Sequence, residues 1–511
     1  MYNSHDTYRQ TQISTVPPFS VHMNKKVVVI GAGFAGLSAA TKLASQGYDV
    51  TILEKNSIAG GRARLFETQG FKFDMGPSWY WMPDIFERYF EEFGKKPSDY
   101  YDLVRLDPSY KVIFGQNDEV DLPASYEKLE ELFEQLEPGS TPQLREFLKQ
   151  AEYKYRVGIG EFVWKPSTSI TEFFDFRLIS KAFSLDLFAS FGKHIRKFFK
   201  NDKLLQIMEF PILFLGATPQ NTPALYSLMN YAEIMKGTWY PMGGMHEIIK
   251  GMVALAEEKG VKIKLNHEVT QFSFENNKIN KVITSQDSFE ADVVVGGADY
   301  QHIEEKLLGK DYQNYSDSYW DSRVMAPSSL LFYLGVDRRI DKLEHHNLFF
   351  DEDFGVHAEE IYTTPVWPSK PLFYASAPSK TDPTVAPEGS ENLFILIPIA
   401  PDLEDTEELR EKYYHIVMER LEKYVGHDVR SHVVYKRSFA VEDFKKDYHS
   451  YKGNAYGLAN TLLQTAFLKP GLKNKKVKNL FYTGQLTVPG PGVPPSLISG
   501  LVVAKEVQKQ F

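Results

Sequence analysis

One stretch, Lys26 to Glu54 (KVVVIGAGFAGLSAATKLASQGYDVTILE), constrains the fold more than any other. Val27, Val28, Val29 and Ile30 form a β-branched run that reads as a buried strand. It runs straight into Gly31, Gly33 and Gly36. A helical pattern follows, and Tyr48–Leu53 reads as a second strand closed by Glu54. Gly31 allows the tight turn out of the strand, Gly33 lets backbone approach a pyrophosphate, and Gly36 lets the helix lie close to the sheet. The helix start, with Phe34 and Ala35, offers unpaired N–H groups and a positive dipole end to the phosphates. Glu54, 18 residues beyond Gly36, is placed to accept hydrogen bonds from the ribose hydroxyls of an adenosine, and it disfavours a 2′-phosphate. Strand, glycines, helix, strand and acid arrive in order, which predicts a dinucleotide site.

Composition sets the limits around that element. At 511 residues the chain exceeds one typical domain, so two or three structural units are expected. A net charge of −9 gives no sign of nucleic-acid binding. The absence of cysteine excludes disulfides, thiolate metal sites and a thiol nucleophile, and is compatible with a reducing cytoplasm. No apolar run reaches the roughly 18–20 residues that span a bilayer. Residues 1–22 are polar, lack an apolar core, and read as a flexible extension, not a signal peptide. Aromatics make up 14 % of the chain, which points to large apolar surfaces in a core or a tunnel. No His/Asp/Glu cluster has metal-ligand spacing and no G-x-S-x-G elbow occurs.

After Glu54 comes KNSIAGGRAR (55–64). Gly60 and Gly61 permit a further close backbone approach, and Arg62 and Arg64 suit a phosphate or a flavin carbonyl. GFKFDMGPSWY (70–80) reads as a short strand pair ending in a Gly-Pro turn. In this order and spacing, IGAGFAGLSAA, LEKNSIAGGRAR and GFKFDMGPSWY resemble the amine-oxidase-type flavoprotein superfamily. Within it the chain is similar to the bacterial carotenoid (phytoene) desaturases. TWYPMGGMHEIIKGM (238–252), DVVVGGADY (292–300), YKGNAYG (451–457) and NLFYTGQLTVPGPGVPPSLISG (479–500) extend the resemblance over nearly the whole chain from Met23.

The resemblance implies FAD held along its length. Lys55, Gly61, Arg62, Arg64, Gly76, Pro77 and Ser78 would join the glycine turn as cofactor residues, and the backbone near Val269 would meet the adenine. Gly484 and Gln485 would face the pyrophosphate and ribityl chain; many relatives carry Asp where this chain has Gln485. Gly492 and Val493 would place N–H groups at the flavin N1/C2 carbonyl edge. Trp239 and Tyr240 are candidates for the pocket wall. The implied fold is mixed α/β: a Rossmann-type FAD-binding domain (23–110, 238–300 and 470–511), an antiparallel-sheet substrate domain (111–237 and 301–469), and a helical membrane-associating part at about 140–236.

A basic aromatic stretch, FFDFRLISKAFSLDLFASFGKHIRKFFK (173–200), carries the membrane expectation. Phe183, Leu187, Phe191 and Ile195 recur every four residues, Phe198 and Phe199 extend the stripe, and Lys193, Arg196, Lys197 and Lys200 supply cations. The same pattern fits a core helix with a basic rim. The implied reaction is hydride transfer to flavin N5 with loss of a proton from an adjacent carbon, making a C=C bond in a long apolar polyene. Glu233 is the first candidate for the proton acceptor; Asp74, bound water, solvent or the flavin itself are others. A 1-hydroxycarotenoid 3,4-desaturase and a flavin-dependent carotenoid isomerase remain open on the same scaffold, as do an amine oxidase and a flavin-free escort protein. The expected setting is the cytoplasmic face of a membrane, with quinone or O2 as electron acceptor and no nucleic acid or metal.

Overall fold

The computed structural model describes residues 25–169, 189–213, 216–461 and 464–511. The expected extension at 1–22 and the positions Phe183 and Leu187 lie outside them. A five-stranded parallel sheet carries the glycine turn. Its spatial order is Leu480–Tyr482, Val293–Gly296, Lys26–Ile30, Asp49–Leu53, Lys262–Lys264. Alternate side chains of the central strand go to opposite faces. Val27 and Val29 pack with Leu37, Ile248 and Leu501 of three covering helices, Phe34–Ala44, His246–Glu258 and Val493–Gln508. Val28 and Ile30 pack with Val282, Tyr300 and Tyr482 on the other side. Both faces are dry, which is why the strand is an unbroken apolar run.

Two helices of the apolar layer cross at backbone contact. A Cβ on Gly500 would lie 2.3 Å from Ala35 O. The C-terminal helix therefore seats directly on the helix that follows the glycine turn. It starts at Val493, because Pro494 and Pro495 are compatible with a first helical turn.

A second sheet has seven strands in the order 433–439, 328–336, 391–399, 373–376, 346–349, 110–115, 118–122. It is antiparallel except between Tyr110–Gly115 and His346–Phe349. Leu330, Phe332 and Leu334 face the helix Glu407–Val425, while Leu331 and Tyr333 join the core cluster on the opposite face. That helix is capped by the Thr406 side chain and by Gly426 in the left-handed conformation. The edge strand Val433–Phe439 follows a 3₁₀ turn at Arg430–His432. After the strand Lys262–Lys264 the chain turns at Asn266, which has a φ of 60° and donates its N–H to Asn56 O, before Val269. An acidic helix, Tyr126–Leu136, buries Leu129 and Phe133.

The Gly500 contact gives a test. Gly500→Ala forces the two helices apart and is expected to cost ~1–3 kcal/mol by overpacking, read as a lower melting temperature of the full-length protein.

Candidate functional site: a backbone cradle beside an apolar cavity

Glycine turns from three parts of the chain meet. Gly31 takes φ +94° and its N–H bonds to Leu53 O at 2.8 Å. Gly60 N–H donates to Ala32 O at 2.8 Å, which brings GGRAR against the first turn. A Cβ on Gly36 would lie 2.0 Å from Gly31 O, and one on Gly61 would lie 3.3 Å from Gly33 Cα. Gly484 comes from the far end of the sequence with φ +108°. A Cβ there would sit 3.9 Å from the Ala35 methyl, and its N–H donates to Ser499 Oγ at 3.0 Å. These turns expose backbone N–H groups at the N-terminus of the helix Phe34–Ala44, a geometry suited to a diphosphate.

Glu54 is buried and already engaged. Oε2 accepts from Ala32 N–H (2.8 Å), and Oε1 accepts from the backbone N–H (2.9 Å) and amide (2.8 Å) of Asn56. The carboxylate ties the glycine turn to the second strand, and its remaining lone pairs are what a ribose would meet. Asn56 is a partner the sequence does not signal. Val269 is buried nearby, two residues past His267, whose N–H donates to Glu54 O at 2.8 Å. The His267 ring is held at the strand end by Leu265 O (2.7 Å). Lys55 reaches Lys446 O (2.9 Å) and the His449 ring (3.1 Å).

The two arginines of GGRAR differ. Arg64 is engaged by the protein: it pairs with Asp447 at 2.5 Å and donates to Gly61 O at 3.2 Å. Arg62 meets neutral groups, donating to Ser450 Oγ (3.0 Å) and Asn454 O (3.4 Å). With its amide turned to satisfy its neighbours, Gln485 accepts from both terminal nitrogens of Arg62 (3.3 and 2.9 Å) and donates to Tyr456 O (3.2 Å). Nε of Arg62 is buried without a partner. Burial lowers the guanidinium's pKa, and Asp299 opposes this only from a distance. The Arg62 guanidinium is half-buried and has no ion-paired carboxylate among the described residues, which leaves its charge uncompensated. The diphosphate of a dinucleotide supplies an anion, so the residues fit the group. Gly76 packs here too, where a Cβ would lie 2.6 Å from Arg62 O. Tyr448 lies under both guanidinium groups, 5.1 Å from each.

Two cavities adjoin this cradle. One is polar-edged and lined by Asp74, Gly76, Ser78, Tyr240, Gly243 and His345. Asp74 accepts from Met245 N–H (2.7 Å) and His246 N–H (2.9 Å), capping the helix His246–Glu258, and burial lifts its pKa to about 6. It is thus a turn-fixing group, with both oxygens on backbone. Tyr240 is buried and bonded to Asp382 at 3.4 Å, whereas Trp239 borders neither cavity and donates to Lys236 O. The second cavity is apolar, with Phe210, Leu348, Phe350, Tyr374, Leu396 and Tyr456 in its wall. Its histidine, His357, has both ring nitrogens bonded, to Pro398 O and Leu372 N–H (2.9 Å each). Ser78, from the first cavity, meets the Tyr374 hydroxyl of the second.

Glu233 lines neither cavity. It is buried on the helix Leu228–Lys236 and accepts from the Tyr110 hydroxyl, and burial lifts its pKa to about 8. Tyr110 lies 5.5 Å from Phe210 in the cavity wall, so Glu233 stands one side chain behind that wall rather than facing the pocket. The aromatic stripe also differs from expectation. Of the helix predicted at 173–200, the described part is short, Phe191–Ile195, and the chain then turns. Phe191, Ile195 and Phe199 are fully buried; Phe199 packs on Phe133 (5.4 Å) and Phe198 on Phe147 (5.4 Å). Arg196 pairs with Glu209 at 2.5 Å. These residues face protein, and the core-helix alternative describes them.

Two predictions follow from the geometry. Arg62→Met and Glu54→Ala are each expected to weaken flavin binding about tenfold or more, measured by fluorescence titration of the full-length protein. Glu233 has a folded-state value above the ordinary 4.5, so the folded protein holds a proton that the unfolded chain releases. Stability from this group is therefore lost as pH rises from about 4.5 to about 8. Glu233→Gln removes that dependence, and its melting-temperature advantage over wild type should widen across this window and then stay level.

Comparisons with known proteins identify the family of the chain. The family model of flavin-containing amine oxidoreductases matches residues 34–508. A carotenoid 3,4-desaturase of Haloarcula japonica is 42 % identical over 475 residues, covering 93 % of this chain and 96 % of that protein. A zeta-carotene-forming phytoene desaturase of Myxococcus xanthus is 31 % identical over 490 residues, covering 94 % of each. Among solved structures, putrescine oxidase bound to putrescine superposes with a TM-score of 0.60 at 12 % identity, covering 96 % of this chain and all of that one, a likeness of fold alone. The chain belongs to the flavin-containing amine oxidoreductase family and is an FAD-dependent oxidoreductase.

Proposed function

We propose that the protein is a carotenoid desaturase, introducing C=C bonds into a long apolar polyene, phytoene or a later carotenoid. The observation that carries this reading is the apolar cavity whose wall residues Tyr374 and Tyr456 contact Ser78 and Gln485 of the cradle. A hydrocarbon needs such a lining, and a soluble amine does not. Bound FAD supplies the acceptor for the hydride that leaves the substrate carbon. The protein supplies the rest. Arg62 and the glycine turns hold the diphosphate, Phe210, Leu348 and Phe350 exclude water, and Tyr374 and Tyr456 fix the polyene's side of the site.

The finer parts of the reading follow the same logic. The parallel sheet serves as a Rossmann-type cofactor unit (23–110, 238–300 and 470–511), with the substrate unit formed by 111–237 and 301–469. A bilayer-dissolved substrate favours a place at the cytoplasmic face of a membrane, and exposed Phe467 and Leu468 are the side chains suited to touch it. Quinone or O2 would take the electrons. The 42 % identity to a carotenoid 3,4-desaturase, against 31 % to the phytoene-acting relative, supports 3,4-desaturation as the specific variant.

The test offers the FAD-loaded protein phytoene, lycopene and hydroxylated γ-carotene in separate liposomes. The expected product has lost two hydrogens per new bond, by mass. Consumption of the hydroxylated substrate alone selects the 3,4-desaturase. A product of unchanged mass and altered retention selects an isomerase and rejects desaturation.

A further inference from the structure

Among the described residues, no carboxylate lines the apolar cavity. Its histidine, His357, has no lone pair to offer: Nδ1 accepts from Leu372 N–H, and Nε2 is bonded to Pro398 O. The polar atoms left in the wall are the hydroxyls of Tyr362, Tyr374 and Tyr456. Behind Tyr374 stands a base. Its hydroxyl lies 2.6 Å from Nδ1 of His346. Across the antiparallel strands His346–Phe349 and Phe373–Ser376, His346 faces Ser376 and Leu348 faces Tyr374. Tyr374 is therefore the diagonal neighbour of His346 on one face of the sheet.

The imidazole is held for this one contact. It is fully buried and stacks on Trp79, with ring centres 4.0 Å apart and planes within 16°. Among the described residues the bond to Tyr374 is the ring's only hydrogen bond, since Nε2 has no partner. The ring of His345 lies 4.5 Å away and lines the polar-edged cavity. The Tyr374 hydroxyl also meets Ser78, which lines that cavity next to the cradle. The pair thus stands between the apolar cavity and the polar-edged one.

We propose that Tyr374 is the proton acceptor of the desaturation, with His346 as the base that takes the phenolic proton in the same step. This role rests on the desaturase reading. Loss of a hydride to the flavin leaves one substrate carbon electron-deficient. The C–H bond on the adjacent carbon then breaks, and its electron pair becomes the second bond of the C=C. The proton passes to Tyr374 Oη as the tyrosine's own proton passes to His346 Nδ1. The substrate is oxidised by two electrons and the flavin is reduced by two. His346 then releases its proton to solvent on the side of the polar-edged cavity. The imidazole needs no access to the substrate, because the phenol carries the proton to it. Burial, with His345 beside it, holds the His346 ring well below the usual histidine range, so it is neutral and its Nδ1 lone pair is available. So weak a base suffices for a C–H next to an electron-deficient carbon.

The experiment uses the full-length, FAD-loaded protein and whichever of phytoene, lycopene and hydroxylated γ-carotene the wild type desaturates in liposomes. Tyr374→Phe keeps the ring and removes the oxygen. His346→Asn keeps an oxygen that accepts from the phenol but cannot take its proton. Each is expected to lower kcat by about 10²-fold or more while KM changes by less than about threefold. Anaerobic bleaching of the flavin absorbance by the polyene should slow by the same factor. FAD affinity, read by fluorescence titration, should stay within about threefold of wild type. Wild-type kcat in Tyr374→Phe overturns the proposal, and so does wild-type kcat in His346→Asn, which would leave His346 a positioning partner only. FAD affinity that falls about tenfold or more in both variants also overturns it, because the pair is then structural. A wild type that leaves all three polyenes at unchanged mass overturns the desaturase reading, and the proposal with it, before any variant is compared.

Discussion

The structure depends on backbone approaching backbone more closely than any side chain permits. Gly36 over Gly31, Gly61 over Gly33 and Gly500 over Ala35 are three such contacts within one cofactor layer. Each shortens the distance between elements that are far apart in sequence. Together they bring Arg62, Gly76 and Gln485 to one place without a covalent tie. The side chains then complete a cradle whose shape the glycines have already determined.

Charge is arranged around that cradle with the same economy. Arg64 carries a carboxylate partner, and Arg62 is surrounded by neutral oxygens of Ser450, Asn454 and Gln485. An acid at position 485 would neutralise Arg62 within the protein. A glutamine orients the guanidinium and leaves its charge for the cofactor. Gln485 thus has a physical role once its partner Arg62 is seen.

What the sequence discloses is local. The glycine turn, Glu54 and GGRAR lie within a few tens of residues of one another, and the structure brings them together. The Gly426 that ends the helix Glu407–Val425 is equally legible. Contacts across the chain leave no such trace. Arg62 meets Ser450 at a separation of 388 residues, and Trp79 meets His346 only in three dimensions. The Phe191–Phe199 stripe shows a different limit: periodicity marks an apolar face but not what covers it, and here Phe133 and Phe147 do. Glu233 precedes the TWYPMGG segment in sequence, yet its helix directs it to Tyr110.

The parallel sheet draws its strands from both ends of the chain. One edge strand is Leu480–Tyr482, and the helix that seats on the glycine turn ends at Gln508 of 511 residues. During synthesis the first strand and helix emerge early, with their apolar faces made and nothing to cover them. The ribosome must release almost the whole polypeptide before those faces close. The cofactor layer is therefore complete only once the strand Leu480–Tyr482 and the helix Val493–Gln508 are in place.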